Sequence, residues 1–180
     1  MVTELTTRDL IIRKAEQGDL KAIWKNVWSD ERIAAWMYWP ATLSEEEAED
    51  RLERSIRYQQ DHDAFFVCRK ETGEAIGMAG IREEGEGFYH ESGICLAVPW
   101  QKQGYGRQIL QAFMKLVFEE KKGQAFIYSC LKDNEPSRHL AIGTGLRYLN
   151  EKKVIWEKDG SERIIENYCL EAEEYHHGKE

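Results

Sequence analysis

Residues Ile94 to Arg107 read Ile-Cys-Leu-Ala-Val-Pro-Trp-Gln-Lys-Gln-Gly-Tyr-Gly-Arg, and few backbone arrangements accommodate that run. An apolar segment with strand character stops at Pro99. A short turn carrying Gln101, Gly104 and Gly106 follows, and an amphipathic helix opens behind it. The first turn of a helix leaves amide N–H groups without intrahelical acceptors, and the helix dipole adds partial positive charge there. Glycines let a ligand lie against backbone that β-carbons would screen. Strand, glycine turn and helix N-terminus in this order predict a cradle for an anion such as a pyrophosphate.

Two common phosphate loops do not match. A Walker loop needs Gly-Lys followed by Ser or Thr, whereas Gly106 precedes Arg107-Gln108. A dinucleotide fingerprint needs a third glycine where Ile109 stands. The remaining pattern, Gln-x-x-Gly-x-Gly over Gln101, Gly104 and Gly106, resembles the acetyl-CoA pyrophosphate loop of the GNAT superfamily of N-acyltransferases. A glycine turn with no ligand is the plain alternative for this motif taken alone. A second stretch adds to the resemblance. Ala125 to Cys130 reads as a buried strand, and Asn134-Glu135-Pro136-Ser137, running on to Gly145-Leu146, is similar to the family's Asn-x-x-Ser helix. Thr7 to Arg13 resembles the opening strand of the RimJ/RimL-type branch, the ribosomal-protein N-terminal acetyltransferase-like proteins. The resemblance covers residues 5 to 172.

Composition narrows the classes. A chain of 180 residues suits one domain with a proper core, expected over 1–175 with a frayed polar tail at 176–180. No stretch approaches the ~20 apolar residues of a membrane span, and the N-terminus lacks a basic-then-apolar signal pattern. The expectation is a soluble cytoplasmic protein without a membrane partner. Cys68, Cys95, Cys130 and Cys169 each fall inside an expected strand at spacings that match no metal motif, so buried free thiols and no metal are expected. A net charge of −8 argues against a nucleic-acid partner, whose binding needs phosphate neutralisation. It suits a cationic or amine-bearing substrate, and it equally serves solubility alone.

Hydrophobic periodicity sets out the elements. Leu10 and Ile12 mark a first strand, and Asp19 is placed to cap a helix carrying Leu20, Ile23, Trp24, Val27 and Trp28. Ser44-Glu45-Glu46-Glu47 reads as a capping box opening a helix to about Gln59. Strands are expected at Ala64 to Arg69, Ala75 to Ile81 and Phe88 to Val98. A helix from Gly104, a strand from Ala125 to Cys130 and the Asn-Ser helix follow. A final hairpin pairs Val154 to Glu157 with Arg163 to Leu170 across an Asp159-Gly160 turn. The fold class is α/β (α+β), a mixed and mostly antiparallel sheet of about seven strands with helices on both faces, in agreement with a single-domain GNAT fold.

The resemblance implies the chemistry: an acetyl-CoA-dependent N-acetyltransferase moving an acetyl group to a primary amine by direct attack. The acceptor would be a protein N-terminal α-amine or a small amine such as a polyamine, an amino acid or an aminoglycoside. Backbone of Gln103, Gly104, Tyr105, Gly106 and Arg107, with Gln101 in the motif, would hold the pyrophosphate. Leu96, Ala97 and Val98 would pair with the pantetheine amides. Asn134 matches the position that bonds the pantetheine arm and is also a natural helix N-cap.

Glu91 matches a glutamate common in the branch. It would take the amine's proton through a water or attract the ammonium; otherwise it is an outward charge on a sheet. His90 is adjacent, and strand neighbours face opposite ways unless Gly93 marks a bulge, so Glu91 is preferred. Many members carry a tyrosine seven residues beyond the asparagine; here that position is Ala141. Ser137 takes the role of donor to the leaving thiolate by resemblance to the branch, with Tyr128 and Tyr148 as fallbacks. His139 reads as a surface residue of the Asn-Ser helix. Trp36, Tyr38 and Trp39 would either wall an acceptor channel or pack the helices on the sheet. A non-catalytic acyl-CoA-binding module is the alternative, supported only by the missing tyrosine. Homodimers are common in the branch, which is analogy only.

Overall fold

A computed structural model describes residues 2–178. The strands are β1 (Glu4–Thr6), β2 (Leu10–Arg13), β3 (Ala64–Arg69), β4 (Ala75–Glu83), β5 (Phe88–Leu96), β6 (Ala125–Leu131), β7 (Arg147–Ile155) and β8 (Glu162–Glu171). The α-helices are α1 (Leu20–Ile23), α2 (Glu31–Ala34), α3 (Glu45–Asp61), α4 (Tyr105–Lys115), α5 (Glu135–Gly143) and α6 (Ala172–His177). One eight-stranded mixed sheet has the order β1-β2-β3-β4-β5-β6-β8-β7. The pairs β1–β2, β2–β3, β3–β4, β6–β8 and β7–β8 are antiparallel. β5 and β6 run parallel, from Phe88↔Ala125 to His90↔Ile127, because α4 intervenes as a crossover helix.

The fold class is as the sequence implies, with eight strands where about seven are expected. Backbone contacts gather the chain into two compact units, the first Met1–Gly80 with Ser92–Ile109, the second Ile81–Glu91 with Leu110–Glu180. Neither is a continuous stretch of sequence, so no linker or change of composition announces them.

In the first unit the core is built by β2, β3 and the helical segment after residue 19. Leu10, Ile12, Phe66 and Val67 are fully buried, as are Ile23, Val27 and Trp28. Burying a side chain of this size contributes about 1.5–3 kcal/mol. Trp28 meets Phe66 edge-on at 5.9 Å between ring centroids. Asp19 stands at the N-cap position of α1 but makes no side-chain cap bond to it. Its carboxylate takes two hydrogen bonds of 2.8 Å from Arg13 and one of 2.8 Å from the Glu16 amide, and the chain enters α1 through a 3-10 turn at Gln17–Asp19. Trp24–Trp28 then widens into a π-helical turn. Ser44 does cap α3, its side chain accepting the Glu47 amide at 3.2 Å.

In the second unit α4 and the π-helical turn after it bury Leu110, Phe113, Leu116 and Val117 completely. A smaller cluster of Leu131, Trp156 and Ile165, with Val154 against it, forms a satellite core. Two expectations change here. β7 starts at Arg147, not Val154, and Arg147 to Lys153 are all exposed. An edge strand this polar carries no apolar alternation to reveal it. The tail expected to fray after residue 175 is helical to His177: Glu171 and Glu174 form a capping box, and Tyr175 bonds Glu119 at 2.8 Å. The last two tail residues lie outside the described residues.

Candidate active site

In the first unit β5 ends at Leu96, two residues earlier than expected. Pro99 sits in a single 3-10 turn, Val98–Trp100, which breaks the strand. Of the Leu96–Val98 backbone expected to pair with pantetheine, the Leu96 carbonyl accepts the Gln101 side chain at 2.9 Å and the Ala97 amide donates to Ile76 at 2.7 Å. The Val98 amide has no acceptor among the described residues.

The loop then turns through Lys102 at φ 60° and Gly104 at φ 81°. The second value is a left-handed conformation that glycine adopts without steric cost. A β-carbon on Gly104 would meet nothing within 4 Å, so protein crowding does not demand the glycine; the turn does. The first intrahelical bond of α4 runs from the Gln108 amide to the Gly104 carbonyl. The amides of Lys102 through Arg107 therefore have no acceptor among the described residues. Gln101, Gln103 and Arg107 are exposed.

Two contacts fix the loop. Gln103 donates to the Pro99 carbonyl at 2.8 Å. Gln108 accepts from Thr7 at 2.8 Å and donates to Asp9 at 2.7 Å, tying the start of α4 to the β1–β2 turn. Beside Tyr105 lies a cleft of about 310 Å³ lined by Arg8, Asp9, Arg69, Lys70 and Glu71. The loop thus presents consecutive free donors, a helix N-terminus and nearby cations, which is what a pyrophosphate needs.

The acceptor-side residues divide. Trp36 is 43% and Tyr38 63% exposed, so neither packs a core. Trp39 packs on the guanidinium of Arg51, 4.1 Å from its ring centroid. Arg51, on α3, went unremarked in the sequence because a single arginine on an amphipathic helix reads as solvent-facing.

In the second unit Glu91 is a buried strand residue, 8% exposed, and not an outward charge. Its negative charge pushes the Tyr128 phenol up, in addition to the larger upward effect of burial, while a hydrogen bond to Ser137 acts in the opposite direction. The Tyr128 phenol and the Ser137 hydroxyl share that bond at 2.6 Å. Ser137 sits in the first turn of α5, where its amide donates to the Asn134 side-chain oxygen at 3.2 Å. Asn134 is thus the N-cap, and its amide nitrogen keeps its donors free among the described residues. Burial also pushes the neighbouring Cys130 thiol up to about 11.

Glu91, Tyr128, Ser137 and Asn134 are therefore brought together. Tyr128 ranks above a fallback, because it is the phenol that holds Ser137. Ala141 is fully buried, and Tyr148 is 53% exposed against Tyr168.

His90 is occupied elsewhere. Its ring bonds Glu84 at 3.0 Å and Ser129 at 2.6 Å, and Ser129 bonds Asn167 at 2.6 Å. Gly93 takes φ 124°, an irregularity in β5 beyond both residues. His139 is exposed, as expected. Glu166, missed in the sequence, is buried, accepting from Arg138 at 2.8 Å and Tyr168 at 2.6 Å. It lines a cleft of about 690 Å³ that Glu91, Tyr128 and Ser137 do not reach. The four cysteines are buried and form no disulfide. No group of three or more metal-ligating side chains is assembled among the described residues, and no described helix is long and apolar enough to cross a membrane.

Solved acetyltransferases share this fold. An acetyltransferase (GNAT family) from Bacillus anthracis is 21% identical with a TM-score of 0.81, covering 95% of this chain and 99% of that one. The spermidine N-acetyltransferase from Vibrio cholerae, solved with CoA and spermine, is 17% identical with a TM-score of 0.75, over 94% and 99% of the two chains. The microcin C7 self-immunity acetyltransferase MccE, solved with acetyl-CoA and AMP, is 14% identical with a TM-score of 0.78, over 92% and 93%. At such identities the likeness speaks for the fold. A comparison with curated proteins gave no match. The family model for the acetyltransferase (GNAT) domain matches residues 9–147, most of the chain. The chain belongs to the GNAT acetyltransferases, enzymes that use acetyl-CoA.

Proposed function

We propose that residues 1–175 act as one N-acetyltransferase domain of the RimJ/RimL type, transferring acetyl from acetyl-CoA to the primary amine of a small molecule or of a protein N-terminus. The observation that carries this reading is the run of amides from Lys102 to Arg107, at the start of α4, that have no acceptor among the described residues. Bound acetyl-CoA supplies the activated thioester. The chain's own residues do the rest. Amides of Gln103 to Arg107 hold the pyrophosphate, with the cations Arg8, Arg69 and Lys70 adding charge nearby. The Val98 amide, without an acceptor among the described residues, bonds the pantetheine arm.

Glu91 accepts the proton that the attacking amine must lose. A carboxylate buried beside the Tyr128–Ser137 pair is placed to take that proton directly or through a water. The Ser137 hydroxyl donates to the departing sulfur, and Tyr128 fixes the direction in which it points. Four buried cysteines outside any disulfide support a reducing, cytoplasmic setting.

The test is thiol release from acetyl-CoA across peptides with free N-termini, polyamines, amino acids and aminoglycosides, with a no-acceptor blank for the native thiols. Acetyl-CoA should also raise the melting temperature, since ligand at 100-fold its Kd stabilises by about 2.7 kcal/mol. No thermal shift would sink the cradle, and a shift without turnover on any amine would sink the transferase.

A further inference from the structure

Arg51 has an unusual setting. Its guanidinium lies between two indole rings, 4.7 Å from the Trp28 centroid and 4.1 Å from that of Trp39. Among the described residues only one of its five N–H donors is used, by Thr42 Oγ1 at 2.9 Å. No carboxylate lies within ion-pair distance among the described residues, although α3 is rich in glutamates. Arginine does not shed its charge to escape such a site. Burial draws Arg51 down to about 10, with Arg54 acting in the same direction. Ring faces attract the cation but accept none of its in-plane N–H groups. The site therefore holds a half-buried charge whose remaining donors meet no acceptor among the described residues.

Its surroundings say what it serves. Trp39 and Thr42 belong to the segment before α3 that also exposes Trp36 and Tyr38, and Met37 of that segment lies 3.8 Å from the β-carbon position of Gly93. Cys95 on β5, just ahead of the cradle, is close enough to influence Arg51. A guanidinium fork matches a carboxylate in shape and in charge, two parallel N–H groups meeting two oxygens. A lone arginine balances one negative charge, which favours a carboxylate over a phosphate dianion.

We propose that Arg51 binds a carboxylate carried by the acceptor, so that the amine acetylated belongs to an amino-acid-like molecule bearing both groups. This rests on the acetyl-transfer reading above. It selects against polyamines and aminoglycosides, which carry no carboxylate.

The experiment uses two matched pairs: alanine with alaninamide, and 4-aminobutanoate with its amide. Each pair keeps one amine and differs in the carboxylate. The amide's amine loses its proton more readily, so intrinsic reactivity works against the proposal. The wild-type enzyme should show kcat/KM at least ~10-fold higher for the acid in one pair. Arg51→Gln should bring the ratio to about one through a loss on the acid that exceeds any loss on the amide, and Arg51→Lys, which keeps charge but loses the fork, should fall between. Equal rates for acid and amide in both pairs, or an equal loss on both in Arg51→Gln, would overturn it.

A second readout needs no turnover. In 15N spectra of the wild-type arginine side chains with CoA present, the Arg51 Nε–H signal should move on adding the acids and stay still with the amides. A signal that ignores both, or follows both alike, overturns the proposal. Failure of the acetyl-transfer reading is seen separately, as an absent thermal shift with acetyl-CoA or as a shift without turnover on any amine.

Discussion

The loop at Gln101–Arg107 and the cluster of Glu91, Tyr128 and Ser137 are assembled by opposite means. In the loop the functional groups are backbone amides, consecutive in sequence, aligned by one glycine turn and one helix start. In the cluster they are side chains from β5, β6 and α5, and they meet only because strand register and a helix cap put them there. The loop's donors carry no net charge to lose. The cluster's groups feel burial and one another, as the Tyr128 phenol shows. Affinity for acetyl-CoA should therefore follow the loop, and the rate of chemistry the cluster.

The largest effect should come from Glu91→Gln. Removing a positioned general base typically costs 10²–10⁴ in rate, so kcat should fall about 10³-fold while calorimetry finds the acetyl-CoA Kd unchanged. Should the Kd weaken as much as kcat falls, the division between the two regions would be wrong.

Gly104→Val tests the other side. A β-branched residue at φ 81° is strained by roughly 1–2 kcal/mol and turns the amides out of line. The acetyl-CoA Kd should rise about 100-fold, with kcat at saturating cofactor reduced by less than about 3-fold. The variant's fold is checked by its circular dichroism, which should match that of the native protein.

Tyr128→Phe asks whether the phenol acts through Ser137. Loss of this buried hydrogen bond should cost about 1 kcal/mol of stability and about 10-fold in kcat. Adding Ser137→Ala should lower kcat no further than Ser137→Ala alone, because both changes remove the same interaction. Independent, multiplying losses would mean Tyr128 has a separate task.

The same contrast explains what could be read from sequence. The loop was legible because its determinants, Pro99, Gly104 and the apolar face of α4, act locally. Glu91 was placed by position alone, and its burial emerged only with the sheet. The Tyr128–Ser137 bond depends on where α5 starts relative to β6, which no local pattern records. Asp19 takes the N-cap position that the sequence suggests, but its carboxylate turns to Arg13 and to the Glu16 amide and not to the first turn of α1. β7 hid because an edge strand with one paired side tolerates charges all along it. Arg51 hid for the converse reason: its burial comes from Trp28 and Trp39, which flank it only in the fold.

The smallest effect concerns alkaline pH and touches both units equally. Burial pushes the Cys68 thiol, in the first unit, and the Cys130 thiol, in the second, from the usual 9.0 to about 11. A group whose folded value is raised keeps its proton longer in the native state than in the unfolded chain. Its contribution to stability is complete below pH 9 and is lost as pH rises through about 11. The melting temperature should thus decline over that window, and Cys68→Ala and Cys130→Ala should each flatten the decline relative to their own value at pH 8. Between pH 7 and 9 the acetyl-CoA Kd should stay level, since the loop binds through amides that do not titrate. A Kd that moved with pH in that range would place an ionising side chain among the loop's donors and blur the contrast with the Glu91 cluster.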